Sequence, residues 1–571
     1  MRDPKYTHPA VDLPAFRENL FKPTELLLGT MTKTQATTES PQNHYDVIVI
    51  GAGMGGIYAT YRFTRQGLSV LTLESAEGVG GVWYHNRYPG ARVDIESLDY
   101  CFTFSNELFR EWKWSERYAA QPELERYLNY VADKFDLRKH MLFNCGVTAV
   151  RRLEEANRWE VDTSTGKRFT CRFVVTAMGN LSAPRKPDFP GLEDFKGKWL
   201  QTSRWPKEPV DVRGKRIGVI GTGASGVQVI PPMAEQGRHL TVFQRSPNFV
   251  VPPQNRPLDP ALIEKIANGL DEYRAEMFAN DGVHRPKAAG DVTQFSKEER
   301  ERIMEDRYQF GGHVMSVVFK NEQVDWEVNQ VVSDFVRAQI RAVVKDPVTA
   351  EKLCPHRHGV GNRRLGVCTN YYETFNRDNV TLVDLHEDSL VRITETGIQT
   401  RNGHHELDLI IFSLGFVSFT GTLIDADIRN EHGRGITEHW KPGWKSMIGF
   451  MTSGFKNLFM ACGTGGIGFS ANGFPVNEQQ INWIGDCIAY LDKNGYKTIE
   501  ADPVAEEAWV KRVAEVASNR LLMTRKLRDR NVHVNPETGE RFCMTWLGGF
   551  TNFIKICDES AAKGYEGFIL R

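Results

Sequence analysis

The sequence predicts an α/β fold: two Rossmann-like dinucleotide-binding domains with a helical insertion. Three observations predict it. A strand, a glycine-rich turn, a helix and a second strand follow one another from Tyr45. The same series starts again at Arg216, and from Asp259 to about Lys345 charges and apolar residues mix at helical spacing.

The first unit opens with Asp46–Ile50, a largely apolar run of strand length. Gly51, Gly53 and Gly56 follow, then a helical stretch from Ile57 to about Gln66, and a β-rich run from Leu68 to Leu73 that ends in Glu74. That is one βαβ unit. The second unit runs Arg216–Ile220, then Gly221, Gly223 and Gly226, a helix, and Leu240–Phe243 ending in Gln244 and Arg245. The insertion is marked by stretches such as Ser296–Arg302, rich in Lys, Glu and Arg with few β-branched residues. Strand character returns after Val380, most clearly at Leu409–Ser413.

Composition narrows the function. A chain of 571 residues suggests three or four domains, and 41% hydrophobic with 25% charged residues is globular. A net charge of −1 gives no electrostatic reason for nucleic acid or an anionic membrane as partner. No stretch reaches 18 uninterrupted apolar residues, so no membrane span is expected. The nine cysteines are odd in number and none form a C-x-x-C, which argues against zinc, against a dithiol redox centre, and for a reduced, cytoplasmic location. The paired histidines, His356 with His358 and His404 with His405, lack a third ligand at fixed spacing, so no metal site is expected. The first forty or so residues are polar and carry no secretory pattern.

Glycines at this spacing also occur in ordinary tight turns. Here each set follows an apolar strand and opens a helix, the context a diphosphate needs: one glycine for the turn, one for close approach, one for packing, and free helix N–H groups for the anion. The two copies differ where the ribose is read. Glu74 lies 18 residues after Gly56, where a carboxylate accepts from ribose hydroxyls. Eighteen residues after Gly226 stands neutral Gln244, followed by Arg245 and Ser246, which suit a 2′-phosphate. The first site therefore predicts FAD and the second NADPH. The second cradle comprises Gly221, Thr222, Gly223, Ala224, Ser225 and Gly226, with Gln228 in the helix. The bland alternative for Arg245 is a solvated surface arginine. The division expected is an N-terminal extension (1–43), the FAD domain in two parts (44–180 and 386–571), the NADPH domain in two parts (181–258 and 346–385), and the helical insertion (259–345).

Longer segments resemble the class B flavoprotein monooxygenases, most closely the Baeyer–Villiger monooxygenases. Gly80-Gly81-Val82-Trp83 with Tyr88-Pro89-Gly90-Ala91-Arg92-Val93-Asp94 is similar to that family's segment beside the flavin. Phe195, Gly197, Trp205 and Pro206 match its linker signature, and Arg363-Arg364-Leu365 with Tyr371–Val380 resembles the segment carrying its active-site arginine. The resemblance runs from about residue 44 to the C-terminus. It departs twice: the signature histidine is Gln201, and a C-terminal tryptophan loop is replaced by Arg530–Pro536, with Trp546 read as a core aromatic.

The resemblance implies that NADPH reduces FAD, that O2 adds to give a C4a-peroxyflavin, and that this attacks a small-molecule ketone to give an ester or lactone. Arg364 is then the cation beside the developing negative charge and Asp94 the partner that holds it. Arg363 takes the place of a family lysine near NADP, and Trp83, Asp94 and Tyr100 lie beside the flavin. The helical insertion, the segment after Phe416 and the C-terminal loops would line the pocket. The bland readings are a structural Asp–Arg pair and an exposed basic doublet. Other readings stay open: sulfur or nitrogen oxidation, and a silent FAD/NADP-binding protein. A monomer is expected.

Overall fold

The computed structural model describes residues 43–525, 527, 532–535 and 539–571, and at Phe469 the backbone alone. The N-terminal extension, apart from residue 43, and Arg530, Asn531 and Pro536 of the replaced loop lie outside the described residues.

The first predicted unit is present as β1 (His44–Ile50), α1 (Met54–Arg65) and β2 (Val70–Leu73), with Ile48 opposite Leu71 in parallel register. Val47, Ile48 and Val49 have no solvent exposure, as a parallel strand covered on both faces requires. A short helix, α2 (Val82–His85), follows. Next come β3 (Met141–Leu142), β4 (Val147–Leu153), β5 (Arg158–Thr163) and β6 (Arg168–Thr176). In β5 the burial alternates, Trp159, Val161 and Thr163 inward, because an antiparallel strand can leave one face to water.

The second unit comprises β7 (Lys198–Gln201), β8 (Arg216–Ile220), α3 (Ala224–Gln236), β9 (His239–Gln244) and β10 (Val250–Val251). The main helices of the insertion are α4 (Pro260–Asn268), α5 (Leu270–Phe278), α6 (Lys297–Phe310) and α7 (Trp326–Val343). After them come β11 (Gly366–Val367), β12 (Val380–Asp384), an antiparallel trio β13 (Leu390–Thr394), β14 (Gly397–Thr400) and β15 (His404–Glu406), and β16 (Leu409–Phe412). The chain then returns to the first sheet through β17 (Ile428–Arg429) and β18 (Leu458–Met460), and α8 (Gly473–Asn494) lies along α1.

The first sheet has the order β17-β4-β5-β6-β1-β2-β3, with β18 also on β6; the second is all parallel, β12-β9-β8-β16-β7. Two expected boundaries shift. The second domain was expected to end at residue 385, yet β16 sits between β8 and β7 in its sheet. Its four residues are all buried, the continuous apolar run of a central parallel strand. The insertion is also divided. Ile263, Leu270, Met277 and Phe278 join the first-domain core, while Met304, Val332 and Val336 build a separate core with Phe249, Val251, Leu365 and Val367.

Two connections lead directly from one sheet to the other, and they pair. Pro184 bridges Phe416 in antiparallel fashion, Arg185 N–H donates to Gly415 O at 3.0 Å, and Val417 N–H donates to Ala183 O at 2.9 Å.

Candidate active site

Both glycine turns are built as the spacing requires. Gly51 has φ +103° and Gly221 φ +106°, a region glycine enters without strain. A Cβ on Gly56 would lie 1.8 Å from Gly51 O, and one on Gly226 would lie 2.0 Å from Gly221 O. Gly53 and Gly223 stand at the N-termini of α1 and α3, and neither helix has a side-chain cap. Each turn thus leaves helix N–H groups uncovered by side chains, the donor set that a diphosphate takes. The residues present fit two dinucleotides.

The positions read from the sequence as ribose ends have different surroundings. Glu74 is buried at the end of β2, where Oε2 accepts from Ala52 N–H at 2.7 Å and Oε1 from Ala76 N–H at 2.8 Å. It therefore pins the turn itself and keeps lone pairs for a sugar. At the second site Gln244 is fully buried and points inward, its Nε2 donating to Lys352 O at 2.8 Å. Arg245 is exposed, and Thr222 ties the turn to the next loop by donating to Ser246 O at 2.9 Å. Gly223 and Ala224 are exposed and Ser225 half-buried at the mouth of this cradle. Gln228 lies in the helix that follows the cradle. It accepts from Tyr88 OH at 2.9 Å and donates to Arg92 O at 3.0 Å, joining the two domains.

That contact explains the Tyr88–Asp94 segment. Gly90 packs on α3 so closely that a Cβ would lie 2.3 Å from Gln228 O. The segment ends at Asp94, which receives Arg364 in a two-pronged bond, Nε to Oδ2 at 2.7 Å and Nη2 to Oδ1. Arg364 reaches it from the second domain, where Asn248 Nδ2 donates to Arg364 O at 3.0 Å and β11 pairs with β10. Burial alone would raise the Asp94 carboxyl, but Arg364 and His313 outweigh it and hold it well below the usual carboxylate range. Asp94 is thus an anion locked to a permanent cation. Arg363 is half-buried next to it.

Trp83, in α2, donates to Tyr100 OH at 3.2 Å, and Tyr100 in turn packs edge-on against Phe474 at the start of α8. Burial pushes the Tyr100 phenol up to about 12. In the linker, Phe195 and Trp205 are buried, and a Cβ on Gly197 would lie 2.7 Å from Asp408 O. Gln201 ends β7 and donates to Arg185 O at 2.9 Å, so it grips one of the two paired connections. Pro206 follows Trp205 at the second-domain surface. Trp546 is a core residue: it is fully buried, stacks on Trp509 at 5.1 Å, and donates to Gly549 O at 3.2 Å.

One residue at the site has no counterpart in the sequence reading. His313, from the insertion, places Nε2 3.2 Å from Asp94 Oδ2. The signal was a Gly-Gly doublet ending a charged helix, which marks a chain reversal but does not reveal what lies opposite.

This architecture defines a class: an oxidoreductase with two dinucleotide domains and a half-buried Asp–Arg pair at their junction. The family model described as pyridine nucleotide-disulphide oxidoreductase matches residues 48–333. The nine cysteines form no disulphide and none stand in a C-x-x-C spacing. A Baeyer–Villiger monooxygenase of Pseudooceanicola batsensis is 38% identical, covering 92% of this chain and 96% of its own. A phenazine N-monooxygenase of Lysobacter antibioticus is 37% identical over 93% of this chain and 98% of its own. The structure of an oxidised steroid monooxygenase bound to NADP superposes with a TM-score of 0.88 at 42% identity, covering 92% of this chain and 99% of that one. The chain belongs to the Baeyer–Villiger monooxygenase family. Among the described residues no helix is long and apolar enough to cross a membrane.

Proposed function

We propose that the chain is an FAD-containing, NADPH-dependent monooxygenase that inserts one oxygen atom beside a ketone carbonyl. The balance is ketone, O2, NADPH and a proton in; ester or lactone, NADP+ and water out. The observation that carries it is the Asp94–Arg364 pair, which ties the segment after the first cradle to the second nucleotide domain. Gly51, Gly53, Gly56 and Glu74 would hold FAD. Gly221 to Gly226, Arg245 and Ser246 would hold NADPH, with Arg363 toward its phosphate side. When bound, the reduced flavin supplies the two-electron activation of O2.

The chain's own part is positional and electrostatic. Arg364 cannot lose its proton at working pH, so it remains a cation where negative charge builds on the reacting oxygens. Asp94 grips both prongs of the guanidinium and fixes its plane. Trp83 and Tyr100, hydrogen-bonded to each other, wall the site beside the flavin and exclude water. Gln201 would steady one of the two connections between the domains by its bond to Arg185 O.

A second reading, oxidation of an aromatic ring nitrogen, is favoured by the phenazine N-monooxygenase relative. One experiment separates them. The purified protein with NADPH and 18O2 is offered ketones, a sulfide and a nitrogen heterocycle, with products identified by mass. Ester or lactone carrying a single 18O, one per NADPH, is expected. Oxidation of nitrogen or sulfur alone would select the second reading, and NADPH consumption without any oxygenated product would contradict both. The proposal includes a cytoplasmic location, supported by nine cysteines that form no disulphide, and a monomer, checked by light scattering.

A further inference from the structure

We infer that His313 is a positioning residue for the Asp94–Arg364 pair, a third anchor delivered by the insertion; this rests on the function proposed above. Two side-chain nitrogens from different segments converge on one oxygen, one as a hydrogen-bond donor and one in close contact. Asp94 Oδ2 takes Arg364 Nε at 2.7 Å and lies 3.2 Å from His313 Nε2, while Oδ1 takes Arg364 Nη2. A carboxylate gripped by both prongs of Arg364 and flanked by the His313 ring cannot turn about its own axis without losing a partner or meeting the ring, so the guanidinium plane is fixed as well.

The backbone that delivers His313 is built for one position. α6 ends at Phe310, whose carbonyl accepts from Arg117 Nη1 at 2.6 Å. Arg117 is itself buried and paired with Glu96 at 2.6 Å. Gly311 (φ +83°) and Gly312 (φ +73°) then reverse the chain. A Cβ on Gly312 would lie 2.1 Å from the Tyr118 hydroxyl, and the Gly312 N–H donates to Pro252 O at 3.1 Å. His313 comes next, in a 3-10 turn that Ser316 secures by donating to His313 O at 2.7 Å.

Burial first, and Arg364 second, hold the His313 imidazole below its usual range, against the pull of Asp94. In its neutral form the ring attracts the carboxylate only with its proton on the facing nitrogen, Nε2. Arg117 and the double glycine clamp the insertion to the first domain, so the third anchor exists only while the insertion is docked. A purely packing role would need only volume at this place, and that difference is testable.

The test uses the FAD-loaded full chain with His313→Leu and His313→Gln. His313→Leu should lower ester formed per NADPH at least about fivefold, the remainder appearing as hydrogen peroxide, with KM for NADPH changed less than about twofold. His313→Gln keeps a neutral donor and should return coupling to within about twofold of wild type. A stability cycle combining His313→Leu with Asp94→Ala, read by chemical denaturation, should be non-additive whatever the substrate is. Full coupling in His313→Leu, equal losses in Leu and Gln, or an additive cycle would each overturn the inference. A wild type that forms no ester from any ketone, with the cycle still non-additive, overturns the substrate reading and leaves the contact established.

Discussion

The two glycine turns share a backbone and differ in their surroundings. In both, the third glycine sits under the first so closely that no side chain fits. The middle glycines part company. Gly53 is half-buried, with a Cβ position 3.4 Å from Gly81 Cα, whereas Gly223 is exposed and has nothing within 4 Å. The first cradle is roofed by the Gly80-Gly81 loop and latched by Glu74 to Ala52; the second is open and bordered by an exposed arginine. The turn fixes where a diphosphate lies. On the proposed function, the neighbours would fix which nucleotide enters. A roofed site suits a resident cofactor, and an open one suits a coenzyme exchanged at every turnover.

The largest effect expected comes from disrupting one turn at a time. Gly56→Ala should yield protein almost without FAD, measured by its visible absorbance after purification. Gly226→Ala should keep FAD and lose about a hundredfold or more in kcat/KM for NADPH, because the added methyl collides with backbone in either case. Loss of FAD in both variants would mean that the turns are not independent cradles.

A smaller effect sharpens the ribose difference. Arg245→Ala should raise KM for NADPH by roughly tenfold to a hundredfold, the equivalent of about 1.5–3 kcal/mol for a charge-assisted contact, and leave NADH little changed. Equal losses with both coenzymes would place 2′-phosphate recognition on another residue. Smallest of all, Gln201→His should alter turnover by less than about tenfold, or roughly 1.4 kcal/mol. Gln201 bonds a backbone carbonyl of the inter-domain connection, where either side chain can donate. Restoration of oxygenation from an inactive wild type would instead give this position a chemical role.

The nucleotide cradles were legible because strand, turn and helix are local in sequence, and because Glu74 against Gln244-Arg245 is a contrast in side-chain charge. The junction was legible only through the longer family segments. Asp94 and Arg364 are 270 residues apart, and no periodicity joins them. Three features were not legible. Gln228 follows the second cradle, and its bonds to Tyr88 and Arg92 in the other domain depend on how the two domains pack. β16 returns to the second sheet from beyond residue 385, because strand order is a tertiary property. His313 reaches Asp94 through a glycine reversal whose destination depends on Tyr118 and Arg117, residues from another domain.

The central claim is that Arg364, held by Asp94, is where the oxygen transfer is stabilised, and one variant tests it directly. Arg364→Ala, loaded with FAD, is reduced anaerobically by NADPH and then mixed with O2 and a ketone that the wild type converts. The account predicts that FAD stays bound and that NADPH is oxidised. Product should fall by about a hundredfold or more, the loss expected when a group that stabilises transition-state charge is removed, with hydrogen peroxide appearing in its place. Ester or lactone formed at close to the wild-type rate would contradict it.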